Sequence, residues 1–414
     1  MSLRHHRDFR LLWVGDTISQ FGSTIGRTAL PLLAAGALAA TPLEMGLLTA
    51  ANTAAFLLIG LPAGVWVDRV RRRPLMLTAD FVRAALMLSI PVAWWLGTLT
   101  FAHLVVVALL VGAATVMFDV AYQSYLPSLV GRDQLVEGNS KLTASHSMAA
   151  VSGPAAAGGV AQFVGMANGI LATGVGYVCS ALFLLRIRTE EPAPRAADRT
   201  GLVSEIAEGL RFVFGNRSLR AIVGTTGTAN FFDGVSLAVL VLFLARDLGL
   251  SDGVIGLLLG SAGLGSVLGA LTVHRWHRRW GQIRVIWLSL LVTQPFGLLL
   301  PLAGDGWRLA FVVVADLFLA YGAIVYNIAQ VSYRQAICPD HLLGRMNASI
   351  RFVVWGALPL GGLAGGLLGT QVGVLATLWV ALIGRAISPV WVVFSPLRTA
   401  HDPVTTAGDA EPVK

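Results

Sequence analysis

Four aspartates interrupt long apolar stretches: Asp16, Asp119, Asp233 and Asp316. A carboxylate in such a stretch is costly, so it faces a partner, a water-filled space or a ligand. A carboxyl so placed is suited to picking up and releasing a proton near neutral pH. The chemistry on offer is reversible proton or cation binding. Asp233 leads, because it lies about thirteen residues, or roughly 20 Å, into its run. Asp119 and Asp16 follow, and Asp316 lies toward the opposite end of its run. Four arginines, Arg27, Arg83, Arg351 and Arg385, share these apolar surroundings. Arg27 stands on the same run as Asp16 and is a candidate partner for one of the acids. Asp80 and Arg83, three residues apart, read as a local structural pair.

Enzyme chemistry finds no foothold. The sequence has neither a G-x-x-x-x-G-K-[ST] phosphate loop nor an H-E-x-x-H metal motif. His5-His6 and His274/His277 are too sparse for a metal site, and no cofactor is expected. Cys179 and Cys338 are too far apart in type of surroundings and in sequence for a disulfide framework.

The elements that must carry the aspartates are membrane helices. The chain has 414 residues, 55% hydrophobic and 13% charged, with mean hydropathy +0.72. The basic balance does not point to nucleic acid, because the arginines punctuate apolar runs instead of forming a stripe. Twelve runs reach the roughly 20 residues that a spanning helix needs: 9–38, 43–67, 75–97, 101–125, 142–165, 167–188, 219–245, 253–273, 283–303, 308–333, 346–370 and 373–396. They are too long and too uniformly apolar for barrel strands. With the N-terminus inside, 24 Lys and Arg fall in inside segments against 2, Arg246 and Arg308, in outside loops. That asymmetry orients the chain, with both termini cytoplasmic in a multi-pass inner membrane protein. Met1–Arg10 is basic and leads into a run longer than a signal core, so no cleavage is expected. The outside loops are short, so sequential helices are antiparallel neighbours.

The longest polar stretch, 189–218, divides the chain. We expect a six-helix bundle over 1–188, a cytoplasmic linker over 189–218, a second bundle over 219–396 and a disordered tail over 397–414. In the linker, Ile206, Leu210, Val213 and Phe214 share a helical face, which reads as an amphipathic surface helix. The halves match at a nearly constant shift of 208 residues: Ser124, Tyr125, Leu135, Asn139, Gly153, Gly158 and Gly165 recur as Ser332, Tyr333, Leu343, Asn347, Gly361, Gly366 and Gly373. A constant offset across several helices indicates duplication.

Between runs two and three lies Gly64-Val65-Trp66-Val67-Asp68-Arg69-Val70-Arg71-Arg72-Arg73. This G-x-x-x-D-R-x-x-R-R loop resembles the signature of the major facilitator superfamily. The resemblance implies an all-α membrane protein with twelve transmembrane helices in two pseudo-symmetric six-helix bundles. It further implies a conformational latch: Gly64 lets helices approach, Asp68 sits at a helix start in the other half, and Arg69, Arg72 and Arg73 supply charge pairs and lipid-phosphate contacts. The second-half counterpart, Gly269 to Arg279, lacks the acid, so the latch is asymmetric.

Run five holds Gly153-Pro154-Ala155-Ala156-Ala157-Gly158-Gly159. It resembles the G-P-x-x-G-G motif of proton-driven exporters, with Ala157 replacing one glycine. The linker wording Glu205 to Phe212 is similar to that of the drug:proton antiporter branch with macrolide-efflux and enterobactin-export proteins. In this superfamily helices one, four, seven and ten line the central cavity, and the four aspartates stand on those runs. The same runs offer Gln20, Phe21, Phe118 and Tyr122 in the first half and Asn230, Phe231, Tyr326 and Asn327 in the second. Aromatic surface with scattered amides suits a bulky amphipathic ligand. Many proton antiporters carry an arginine in the outer half of helix four, whereas Leu104–Ala114 has no charge; Arg27 is the substitute on offer.

The resemblance thus implies export of an amphipathic drug or natural product by alternating access, coupled to protons, from a monomer in the lipid bilayer. Siderophore or lysophospholipid export, nutrient symport and membrane sensing without transport are the alternatives. No nucleic-acid partner and no enzymatic activity are expected.

Overall fold

The computed structural model describes residues 3, 6–130, 134–189, 191, 202–339 and 342–398. Among them there is no strand. The first half builds α1 (Arg7–Gly36), α2 (Pro42–Asp68), α3 (Arg72–Trp95), α4 (Phe101–Val130), α5 (Leu135–Val164) and α6 (Met166–Leu185). The linker helix is α7 (Leu202–Gly215). The second half builds α8 (Arg217–Leu242), α9 (Asp252–Trp280), α10 (Gln282–Thr293), α11 (Ala310–Ile337), α12 (Leu343–Val372), α13 (Val374–Ile387) and the single turn α14 (Val390–Val393). Ten segments among the described residues are long and apolar enough to cross a membrane. α1 and α5 are the two others of spanning length, 30 residues each. Their polar residues, Asp16 and Arg27 in α1 and Glu137, Lys141 and His146 in α5, lower their hydropathy. The duplication is legible in three dimensions: α5 and α12 are both 30 residues long and start 208 residues apart.

Two expected spans, present as Gln282–Leu302 and Val374–Val393, change helix geometry at proline. Run nine, read as 283–303, is α-helical only to Thr293 and continues as a 3₁₀ helix, Gln294–Leu302. Pro295 and Pro301 lack the N–H donors a longer α-helix needs. Run twelve, read as 373–396, is α-helical to Ile387 and resumes as the single turn Val390–Val393, because Pro389 restricts the residue before it. α2 starts cleanly for a local reason. Thr41 and Glu44 form a reciprocal capping box, and Pro42 opens the first turn.

The chain divides into two compact units: Met1–Arg199 with Gly234–Gly260 and Leu358–Thr377, and Thr200–Asp233 with Ser261–Ala357 and Leu378–Lys414. In the first unit, α1 lies against α6 at near backbone contact. A Cβ on Gly176 would stand 3.2 Å from the Ile18 carbonyl oxygen, and Thr173 Oγ1 donates to the Gly22 carbonyl at 2.7 Å. Phe9, Leu12, Met76, Tyr125 and Leu126 pack the end nearest the N-terminus. At the opposite end, glycines bring α5 against α9 and α2 against α12. A Cβ on Gly256 would lie 2.8 Å from the Gly158 Cα, and one on Gly46 would lie 2.7 Å from the Gly366 Cα. Arg246, in the π turn that ends α8, donates to the Ala35 carbonyl at 2.7 Å.

In the second unit, Ile222, Ile283, Ile286, Val325, Tyr326 and Val392 form the core. α7 docks through Gly209 and the buried Val213 onto Arg345, Ser349, Met346 and Ile350, and Glu208 pairs with Arg345. The expected apolar face needs correction here. Phe214 points out, 46% exposed, because contact is centred on Gly209 and Val213. The Ile206 side chain lies outside the described residues, as do 192–201 of the linker and 399–414 of the tail.

Asp8 ties the start of α1 to the end of α6. It accepts from the Arg188 N–H at 3.1 Å, the Thr189 N–H at 2.8 Å and the Thr189 hydroxyl at 2.6 Å. Burial pushes this carboxyl up, but the three donors outweigh it and hold it below the usual value. A depressed carboxyl contributes stability above its unfolded value and loses it as pH falls through the folded value. We therefore expect Asp8→Asn to lower the unfolding temperature at pH 7 by a few degrees. The difference from wild type should close in acid, as seen by thermal unfolding at pH 7 and pH 3; an equal deficit at both would discard this account.

Candidate functional site

The first unit places Asp16, Asp119 and Tyr122 together with His146. Asp16 is 2% exposed on α1. Gln20, one turn on, donates to its Oδ1 at 3.4 Å, and His146 Nε2 of α5 stands 3.5 Å from its Oδ2. That Oδ2 has no hydrogen-bond partner among the described residues. His146 is half exposed, so a buried acid meets an imidazole that reaches outward. The geometry is rigidly referenced. Ser145, the neighbour of His146, accepts from Trp13 Nε1 and from the Thr17 hydroxyl, both at 2.9 Å. Asp119 lies in the fields of Asp16, His146, Arg27 and Arg83. The Tyr122 hydroxyl is buried without a hydrogen-bond partner among the described residues and feels both acids.

Other first-half candidates separate from this cluster. Arg27 is exposed and donates to the Thr24 hydroxyl at 3.0 Å, and it makes no ion pair among the described residues. Gln20 and Phe21 are half-buried. Phe118 is 3% exposed, with the Arg83 guanidinium 4.2 Å from its ring, which makes it a core residue and not a lining one. Arg83 in turn pairs with Asp80 within α3.

The second unit brings Asp233 of α8 to Arg385 of α13. Arg385 Nε also donates to Gln294 Oε1 at 3.1 Å. Gln294 opens the 3₁₀ stretch forced by Pro295, so the helix break presents its side chain to the pair. Gly384 makes room for the Phe232 ring, which fixes α13 beside α8. Asp316 makes no hydrogen bond or ion pair among the described residues, but lies within the field of Arg385. Asn230 is spent on the Val354 carbonyl at 2.8 Å, and Phe231 meets Phe232 edge to face. Tyr326 is 5% exposed and bonds to Thr226 at 2.7 Å, whereas Asn327 is exposed and accepts from Gln330.

Sequence reasoning missed His146 and the partnership of Arg385. A single histidine in the polar start of a run carries no pairing signal. Arg385 stood out as an arginine in an apolar run, but only the fold shows that its run lies beside run seven.

The basic loop caps its own half. Arg72 pairs with Glu191 at 3.6 Å, and Arg73 donates to the carbonyls of Leu184 and Leu185 at 3.0 and 2.9 Å, closing the end of α6. Arg69 is exposed, and the side-chain positions of Gly64 and Asp68 lie outside the described residues. In the run-five motif, a Cβ on Gly153 would clash with Thr24 of α1, and Pro154 and Gly158 meet Gly256 of α9. Among the described residues no group of three His, Cys, Asp or Glu could hold a metal ion.

Residues 2–411 match the family described as transmembrane secretion effector. The chain belongs to that family. This secretion-effector family member is similar to the multidrug efflux pump Tap of Mycolicibacterium fortuitum, 26% identical over 366 residues, covering 86% of this chain and 87% of the relative. It is 29% identical over 346 residues to Tap of Mycobacterium tuberculosis, covering 81% and 80%. Its fold matches a bacterial homologue of the iron transporter ferroportin in the inward-facing state, with TM-score 0.75, 16% identity, and 95% and 99% of the two chains covered. It also matches the nucleoside transporter NupG, with TM-score 0.76, 11% identity, and 95% and 100% covered. The family member is therefore a multi-pass membrane transporter with the twelve-helix major facilitator fold, built in the bilayer to move a small molecule.

Proposed function

We propose that the protein exports amphipathic drugs or natural products by alternating access, in exchange for protons. The relatives along most of the chain are named multidrug efflux pumps, which supports the exporter reading. Proton coupling rests on one observation, the buried Asp16 whose Oδ2, without a hydrogen-bond partner among the described residues, stands 3.5 Å from the half-exposed His146. A histidine exchanges protons near neutral pH and a buried acid responds to its charge, so the two can pass a proton between an accessible and a sealed position. Asp119 and Tyr122 extend the path on α4. Asp233 and Asp316 remain coupling candidates, but Asp233 already has a positive partner in Arg385.

The test is substrate-induced proton movement in inverted vesicles, with a panel of lipophilic cations, macrolides and siderophores. Wild type is expected to release protons from the acidified lumen on substrate addition. Asp16→Asn should abolish that release, and His146→Gln should slow it at least tenfold. Substrate flux without proton movement overturns the coupling. Release that survives Asp16→Asn and vanishes only in Asp233→Asn moves the proton to Asp233.

A further inference from the structure

At the end of the first unit away from the N-terminus lies a cavity of about 350 Å³. Small-molecule sites occupy roughly 300–1,000 Å³. α1, α3 and α5 end at it, through Gly36, Trp94 and Ala161, and α6 and α9 start at it, through Met166 and Asp252. Its walls are held by local chemistry. Gly165 turns the chain from α5 into α6 at φ 89°, a conformation that favours glycine. Gly36 leaves room for the Met166 methyl group, which lies 2.9 Å from where a Cβ would stand. The Trp95 indole donates to Asn168 Oδ1 at 3.0 Å, and the Asn168 amide donates to the Val164 carbonyl at 2.8 Å. These bonds tie the ends of α3 and α5 to the start of α6. The Trp94 side chain beside them is 42% exposed.

Asp252 is the one charged residue among the ten that line the cavity. It is half-buried, and among the described residues its carboxylate accepts no hydrogen bond and meets no cation. Two other acids at this end have partners. Glu44 accepts from the Thr41 N–H at 2.7 Å and the Thr41 hydroxyl at 2.9 Å, and Asp247 lies in the field of Arg246. Arg246 itself is engaged by the Ala35 carbonyl. Arg4, Arg132, Arg195 and Arg199, outside the described residues, are joined to the start of α1, the end of α4 and the end of α6, away from this cavity. An acid in a first turn favours a helix start. Glu44 serves α2 in that way through its cap, whereas Asp252 caps nothing. Interfacial tryptophans anchor helix ends, which leaves the acid and the hollow beside Trp94 unexplained. A carboxylate next to indole and thioether surface suits a cation with apolar substituents. The indole face attracts a quaternary ammonium through its quadrupole, and the thioether adapts to its shape. A metal ion is a poor occupant, because one carboxylate cannot replace its hydration shell. An anion would be repelled, and a neutral amphiphile would leave the carboxylate unanswered.

We infer that this cavity is a binding site for a tertiary or quaternary ammonium group, with Asp252 as its counter-ion and Trp94 as its aromatic wall. Gly36 lies 20 residues along α1 from Asp16, or roughly 30 Å, so the site is distinct from the aspartate cluster described above. Occupancy of the cavity does not depend on the exporter reading. Ammonium heads are carried by free solutes and by choline lipids, so the experiment separates the two sources.

Purified full-length protein in nanodiscs of phosphatidylglycerol, a lipid without an ammonium group, is titrated with radiolabelled benzyltrimethylammonium, and binding to empty nanodiscs is subtracted. Saturable binding is expected. Asp252→Asn and Trp94→Ala should each weaken it at least tenfold. Trp94→Phe should fall between wild type and Trp94→Ala, and it keeps the test informative where the larger change disturbs the fold. Glu44→Gln, which removes a partnered acid at the same end, should bind like wild type. Neopentylbenzene, the uncharged carbon isostere of the probe, should not compete. Glycerophosphocholine reports the source: displacement of the probe admits a choline lipid to the cavity, and lack of displacement restricts it to a free cation. The site is overturned by the absence of saturable binding, or by binding that Asp252→Asn or Trp94→Ala leaves unchanged. Equal weakening by Glu44→Gln would reduce the effect to surface charge and overturn it too, as would competition by neopentylbenzene as strong as that of the unlabelled probe.

Discussion

Gly158→Val is expected to abolish transport while leaving the protein folded. In the first unit Gly158 of α5 and Gly256 of α9 cross with almost no space between backbones. A Cβ on Gly158 would stand 2.9 Å from the Gly256 Cα and closer still to the Asp252 carbonyl oxygen. The obstacles are backbone atoms, which cannot rotate away as a side chain can. Overpacking usually costs about 1–3 kcal/mol, and an unyielding contact belongs at the top of that range. About 3 kcal/mol is roughly a hundredfold in population. That penalty applies only where α5 and α9 are in contact. In the alternating-access cycle proposed above, this crossing forms and releases in each turn, so the substitution is expected to trap the chain with the crossing open. We expect at least a tenfold loss of transport. We also expect faster maleimide labelling of a cysteine at Ala155, which faces Gly260 across the same crossing, in a background freed of Cys179 and Cys338. Gly159, with open space at its Cβ position, is the control, and Gly159→Val should transport like wild type. Full activity in Gly158→Val would show that the crossing does not have to close.

The contrast between Gly158 and Gly159 also marks where sequence stops informing. The G-P-x-x-x-G-G wording singled out small residues beside a proline, and the reason for small size there is now visible as the approach of α9. Nothing in the wording says that the second glycine of the pair is free and the first is not; that depends on the rotation of α5 about its axis. The same limit applies to the charges. Apolar runs, their number and their pairing into halves follow from hydropathy and a constant offset, because burial in hydrocarbon acts on every residue of a run. Asp16, Asp119, Asp233 and Asp316 were legible as costly groups for the same reason. Their partners were not. His146 and Arg385 reach the acids from helices far away in sequence, and only tertiary packing decides which acid each meets. The start of run two, placed at 43, falls within one residue of the observed start at Pro42, where the cap is local. Runs nine and twelve are present as spans over Gln282–Leu302 and Val374–Val393, but hydropathy, which stays high through Pro295 and Pro389, does not report the change of helix geometry at those prolines.

Asp233→Ala and Arg385→Ala should each destabilise the protein strongly, and the double substitution should recover most of the loss. The two side chains pair between α8 and α13 at 28% and 15% exposure. Removing one partner of a pair with little access to water leaves the other charge uncompensated, which typically costs about 3–5 kcal/mol. The partial exposure here lowers the expectation to about 2–4 kcal/mol for each single change. Removing both takes away the stranded charge, so the effects of the singles do not add. Gln294 provides an internal check. It holds Arg385 through Oε1, so Gln294→Leu should cost only about 1 kcal/mol, the usual worth of one such bond. Thermal unfolding of the purified protein in detergent reads all four variants. The double variant decides what Asp233 is for. Near-native stability together with substrate-induced proton release would make the pair a strut that holds α13 against α8. Near-native stability without proton release would instead make it part of the coupling machinery, with Arg385 displaced each time Asp233 is protonated. Singles that match wild type in stability would show that the pair is loose in the membrane and would remove the strut altogether.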